Sequence, residues 1–313
     1  MALHEHATNW LGLPVRIFDE EASQKGNLDY KGAIYRLVRD WDTEISMEEL
    51  FSRFVSKPEC KDTRGIIIGA WAGDDPSNNS EGIVQLLVSA RHALPNLKGI
   101  FLADILSEEN EISWIEQSDV SPLFAAYPQL EHFRVRGGNG LSFGEGVRHD
   151  YLQSLIVETG GMSRTLLQQI IKSQFLCLEH LEVWTGSDGY GWDGTLEDLL
   201  PVLEGRLLPT LKHLGVRNSE IANEVAQTLA KSPLLDRLQS VDLSLGILRD
   251  EGAQALLESP AAASLKVLDL HHNYLSAAMC EKLKQRIPGV IVEDQQKPDE
   301  WRGEISYYVA VGE

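Results

Sequence analysis

Ionisable and aromatic side chains return at two fixed places of a short frame along this 313-residue chain, and their types bound the chemistry available to it. One row reads Phe101, Arg134, Ile156, Glu182, Gly215, Asp242 and Asp269; the second, two residues further on, reads Ala103, Arg136, Glu158, Trp184, Arg217, Ser244 and His271. Guanidinium, carboxylate and indole groups on one surface suit charge pairing across a protein interface, where Arg and Trp are enriched among the residues that carry binding energy. Arg134, Arg136, Glu158, Glu182, Trp184 and Arg217, continued by Asp242, Asp269 and His271, are therefore the candidate recognition face. The alternative is an enzyme, or a binder of a small ligand, with a site among Arg134, Arg136, Glu158 and His271. That reading needs one pocket in which the groups converge with altered pKa values.

The elements that must carry these rows follow from the apolar residues between them. LKVLDLHHNYL (265–275) fits L-x-x-L-x-L-x-x-N-x-L at every fixed position, and the frame also starts at Leu97, Leu130, Leu152, Leu178, Leu211 and Leu238. Leu268 and Leu270, two apart, point to one side of a strand while Asp269 points to the other. Stacking such strands in parallel aligns the leucines into a core and sets the two rows about 5 Å apart per rung on the opposite face. RGIIIGAW (64–71) supplies an earlier, degenerate strand. Between strands, segments such as SEIANEVAQTLAKS and DEGAQALLES show helical apolar spacing. Asn273 falls where the chain leaves its strand, and its side-chain amide can bond backbone groups of that turn.

Residues 1–62 lack the frame. GLPVRIFD and AIYRLVRDWD alternate as strands, read as a β-hairpin, and Ser46 with Glu49 forms a capping box for a helix. This predicts an N-terminal α+β cap over 1–62, a body of about seven to eight repeats over 63–293 and a C-terminal tail or cap over 294–313.

Other chemistries are weighed by their spacing. His132, His180 and His213 share a frame position, but no carboxylate recurs at a fixed offset, so no metal site is expected. The loops RGGNGLSFGEG, ETGGMSR and WTGSDGYGWDG leave the same end of the sheet and lack the lysine of a phosphate-binding loop. The aspartates of GSDGYGWDG and of AGDDPSNNSEG miss the EF-hand pattern. Tyr190 and Trp192, in the last of these loops, which is unusually long for its repeat, are candidate rim contacts. No cofactor and no catalytic residue is predicted.

Composition narrows the partners. With 47 acidic against 28 basic side chains the formal charge is −19, which repels nucleic acid and favours a basic protein. Cys60, Cys177 and Cys280 show no paired spacing, so a reduced, cytoplasmic setting is expected. No signal-like segment and no run of 18 apolar residues is found, so membrane insertion is not expected.

The frame spacing resembles leucine-rich repeats, whose periods run to 20–29 residues. LKHLGVRNSEI, LQSVDLSLGIL and LKVLDLHHNYL resemble the ribonuclease-inhibitor-like type, over about residues 64–292. RGGNGL, ETGG, LGVRNSEIAN and DLHHNYLS further resemble an uncharacterised bacterial leucine-rich-repeat family. The resemblance implies a right-handed α/β horseshoe, its parallel sheet concave and its helices convex. It also implies non-enzymatic binding of a protein through the concave sheet and its glycine-rich rim. Trp184→Ala or Arg136→Glu is then expected to abolish partner capture and leave thermal unfolding nearly unchanged.

Overall fold

The computed structural model of the chain describes residues 5–25, 28–39, 45–71 and 78–312. Its strands, in chain order, are β1 (Asn9–Trp10), β2 (Leu13–Phe18), β3 (Ile34–Leu37), β4 (Gly65–Ile68), β5 (Gly99–Leu102), β6 (His132–Arg136), β7 (Arg148–His149), β8 (Ser154–Glu158), β9 (Gln174–Phe175), β10 (His180–Gly186), β11 (His213–Ser219), β12 (Ser240–Asp242), β13 (Val267–Asp269), β14 (Val290–Ile291), β15 (Asp299–Trp301) and β16 (Glu304–Ser306). Twelve of them form one long, mostly parallel sheet in the order β1-β2-β3-β4-β5-β6-β8-β10-β11-β12-β13-β14, while β7 with β9 and β15 with β16 make separate pairs. Nine α-helices are present among the described residues.

The strands of the long sheet lie side by side in chain order, so each strand's apolar residues fall beside the next strand's. Leu214, Val241 and Leu268 are paired laterally and almost fully buried. The helices Arg164–Lys172, Leu196–Leu203, Ala222–Leu229, Asp250–Glu258 and Ala277–Arg286 arise where the sequence carries apolar residues at helical spacing, and each buries that stripe. The described residues of the 22-residue interval from Leu130 to Leu152 contain no helix.

Two compact units divide the chain: one comprises residues up to 155 with 172–175, the other residues 156–171 and 176–312. In the first unit the expected N-terminal hairpin is corrected. β2 and β3 pair in parallel, with the helix Glu20–Lys25 between them, and β3 pairs in parallel with β4. The reason lies in β3 itself, IYRL, which is buried at every position, as a strand covered on both faces must be. A hairpin does exist one element earlier, where β1 and β2 are antiparallel across Leu11 and Gly12, both with positive φ. At the following helix, Met47–Val55, Ser46 accepts the Glu49 N–H at 3.1 Å, but the Glu49 carboxylate turns to Arg53 at 2.7 Å, so half of the expected capping box forms.

In the second unit Asn273 is completely buried. Its Oδ1 accepts the Leu248 N–H at 2.9 Å and its Nδ2 donates to the carbonyls of Leu243 and Leu270, at 2.9 and 3.1 Å. One side chain thus satisfies three backbone groups that a turn between strand and helix would leave bare. No helix among the described residues is long and apolar enough to cross a membrane. The expected loop AGDDPSNNSEG lies largely outside the described residues, at 72–77, and so do Asp40 to Asp42 of AIYRLVRDWD.

Candidate functional site

The sheet face turned away from the leucines in the second unit is built by register. Across β10, β11, β12 and β13, one rung reads His180, His213, Ser240 and Val267, and the next reads Glu182, Gly215, Asp242 and Asp269. A third rung sets Trp184 beside Arg217. Gly215 is the opening in this surface, because a Cβ there would lie 2.9 Å from Glu182 Cγ. The Glu182 side chain lies over that glycine, and Arg217 on the same strand bridges its neighbours: Nη1 donates to Glu182 Oε1 at 3.1 Å and Nε lies 3.2 Å from Asp242 Oδ2. Its guanidinium also stacks 4.8 Å from the Trp184 ring, whose Nε1–H donates to Glu182 Oε1 at 2.7 Å.

Charge on this face is set by crowding. Burial acts to raise the Glu182 carboxyl, but His180, Arg217 and the Trp184 N–H outweigh it and hold the group down at about 2. Asp242 moves the other way: burial raises it above the usual carboxylate range despite Arg217. Burial also opposes the Asp269 charge, and the hydrogen bonds from His271 win, one from its imidazole Nδ1 at 2.7 Å and one from its backbone N–H at 3.0 Å. His213 is held below its ordinary value, first by burial and then by His180, whose ring centroid is 5.7 Å away. Glu182 and Asp242 thus share the Arg217 guanidinium, and Asp269 pairs with His271, around a shallow depression of about 150 Å³ lined by His180, Glu182, His213, Asp242, Val267 and Asp269. Its volume is below that of a typical small-ligand pocket, and its chemistry suits a single cationic side chain reaching in from outside.

The structure places the predicted residues in two classes. Asp242, Asp269 and His271 stay partly accessible, with side chains 27 %, 19 % and 26 % exposed. Trp184, Arg136 and Glu158, expected on the open surface, are buried, and this corrects the reading of them as contact residues. Glu182 is nearly buried and Arg217 largely so. Alternation along a strand states only which face a side chain takes, and here the larger groups of that face pack on one another. Trp192 is likewise buried, its ring over Gly194, while Tyr190 remains partly exposed.

Arg134 and Arg136 belong to the first unit, Glu158 and His271 to the second. Glu158 ends β8 and His271 lies two residues beyond β13, four strand steps away in the sheet or roughly 19 Å at the usual strand spacing, so they do not share a pocket. Among the described residues no group of three or more His, Cys, Asp or Glu is arranged to hold a metal ion.

In the first unit the corresponding face has a different character. Arg36, Ile67, Phe101 and Arg134 are lateral neighbours there, and on the rung before them Gly65 pairs with Gly99 and Gly99 with His132. Trp10, Leu11, Leu13 and Val15 pack on Ile34, Ile67 and Phe101. A Cβ at Gly99 would come within 2.7 Å of both Leu11 and Trp10, so the two glycines form the floor on which the β1–β2 hairpin lies. Arg134 stacks 4.3 Å from Phe101, and Arg136 Nη1 donates to the Ile105 carbonyl. Arg36 is buried against Asp104 at 3.3 Å and Glu109 at 3.1 Å. The sequence reading missed Arg36, Asp104 and Glu109; Arg36 stands in a strand read as part of a cap, Asp104 follows the outward row at a frame position without a fixed residue type, and Glu109 lies beyond the frame.

No protein-family model and no curated protein matches the chain. A protein from Bacteroides fragilis, solved as a crystal structure, is similar to it at 32 % identity with a TM-score of 0.74, over 79 % of this chain and 70 % of that one.

Proposed function

We propose that this chain, which belongs to the same family as the Bacteroides fragilis protein, is a non-enzymatic recognition scaffold of the ribonuclease-inhibitor-like leucine-rich-repeat kind. It binds a protein partner through the sheet face of its second unit. The observation that carries this reading is the contrast within the fold: in the first unit Ile34, Ile67 and Phe101 of that face are covered by Trp10 and Leu11, while in the second it is polar and stays accessible at Asp242, Val267, Asp269 and His271. Buried Trp184, Arg217 and Glu182 fix the positions of the accessible carboxylates, and the partner supplies a lysine or arginine to the depression between them. The net charge of −19 acts in the same direction by drawing basic surfaces at long range. Cytoplasmic work is consistent with three cysteines that are all unpaired, two of them buried.

The test is affinity capture from native lysate with the wild-type chain and with the double variant Asp242→Lys, Asp269→Lys, after confirming that both unfold cooperatively. A stoichiometric protein retained by the first and lost by the second supports the proposal. Identical sets of captured proteins would refute it.

A further inference from the structure

A second surface of the same unit already holds a peptide, and that peptide is part of the chain. Three successive repeats leave their strands through a residue in the left-handed region, Asn218 (φ 50°), Leu245 (φ 66°) and His272 (φ 51°). Neither leucine nor histidine adopts this conformation without cost. It turns backbone and side-chain groups out of the sheet ladder, and residues 307–312, bending at Ala310, lie against two of these exits. The Leu245 carbonyl accepts the Ala310 N–H at 2.9 Å. The Asn218 amide bonds both main-chain groups of Val311, accepting its N–H at 2.9 Å and donating to its carbonyl. One repeat further on, the Tyr274 hydroxyl does the same for Tyr308, accepting its N–H at 3.1 Å and donating to its carbonyl at 2.9 Å.

These five contacts read main chain, not side chains. Sequence is read at the two ends of the segment. Tyr307 stands between the Arg249 guanidinium, 5.0 Å from its ring, and the Tyr274 ring, at 5.0 Å and nearly perpendicular. Gly312 lies on the Tyr190 ring, where any side chain would collide. The segment is led in by the β15–β16 hairpin, whose Trp301 and Ile305 are 72 % and 60 % exposed, so little apolar burial ties that connection down.

We propose that Tyr190, Asn218, Leu245, Arg249 and Tyr274 line a peptide-binding groove for a six-residue segment of the pattern Tyr-x-x-x-x-Gly, and that residues 307–312 occupy it in cis as an exchangeable strap. The ligand class is a peptide of this pattern on a partner protein, which must compete with a tethered segment held at high local concentration. The groove is distinct from the sheet face bearing Asp242 and Asp269, so either proposal can fail alone.

The experiment uses the full chain and a fluorescent peptide of sequence ISYYVAVG, copied from residues 305–312. Ala310→Pro with Val311→Pro removes two of the N–H donors that hold the strap, since proline has none. The peptide is expected to bind this variant at least about tenfold tighter than wild type, as loss of a tethered competitor requires. Adding Asn218→Gly, which tolerates the left-handed backbone, and Tyr274→Phe is expected to return binding to the wild-type level. Equal affinity for wild type and the proline variant, or tight binding indifferent to Asn218 and Tyr274, would overturn the proposal. Should the proline variant not fold, hydrogen exchange decides on the wild-type chain: millimolar unlabelled peptide is expected to speed exchange at the Ala310 and Val311 amides, and unchanged rates would overturn it.

Discussion

The two units treat the same kind of sheet face in opposite ways. In the first, a floor of Gly65 and Gly99 receives Trp10 and Leu11, and Ile67 and Phe101 lie beneath them; the chain has closed its own surface. In the second, the corresponding rungs carry His180, His213 and Ser240, then Glu182, Asp242 and Asp269, and the only glycine among them, Gly215, makes room for the Glu182 side chain. Covering an apolar face with its own hairpin stabilises a fold. Leaving a polar face accessible, with the Asp242 and Asp269 carboxylates partly exposed, leaves charge for another molecule to satisfy.

The largest effect expected from this comparison is at Trp184. Its ring is fully buried, so Trp184→Ala should cost about 3–5 kcal/mol in chemical denaturation. This reverses the expectation of an unchanged thermal transition, and a loss under 1 kcal/mol would show that the buried layer of this face is not structural. Next comes Glu182. Its folded pKa is depressed to about 2, so its contribution is complete above the unfolded value near 4.3 and is lost as pH falls through 2. A depression of that size corresponds to ~3 kcal/mol. Denaturation midpoints of wild type should therefore fall between pH 5 and pH 2 more steeply than those of Glu182→Gln, and parallel curves would contradict the assignment.

A smaller change is expected in the first unit. Gly99→Val drives a side chain into Leu11 and Trp10 and should cost about 1–3 kcal/mol by overpacking, with faster proteolysis near residues 9–13. The smallest is Asp269→Asn, at a partly exposed site, which should leave stability within about 0.5 kcal/mol while weakening partner capture. If Asp269→Asn destabilised as much as Trp184→Ala, the distinction between a fixed layer and a contact layer would be lost.

Legibility followed periodicity. Every frame start from Leu97 to Leu265 is followed by a strand two residues later, and the role of Asn273 was readable because a turn with bare backbone groups needs a side-chain amide. β3 was readable as a strand but not as a parallel one, since IYRL carries no mark of its partner and only burial on both faces shows it. Residues 307–312 gave no repeat signal at all; their contacts join positions as far apart as Asn218 and Val311. Trp184 and Asp242 were placed on the correct face, yet the sequence offered no measure of how deeply each sits.

By itself the sequence determined the strand–helix alternation, the identity of the leucine face and the excess of negative charge, because these depend on local spacing and on counting. The tertiary structure alone decided which part of the opposite face is closed and which is accessible, and where the chain's last segment lies. Burial at a given position depends on what crosses over it, and in both units what crosses comes from residues distant in the chain: Trp10 and Leu11 over Gly99, Gly312 over Tyr190.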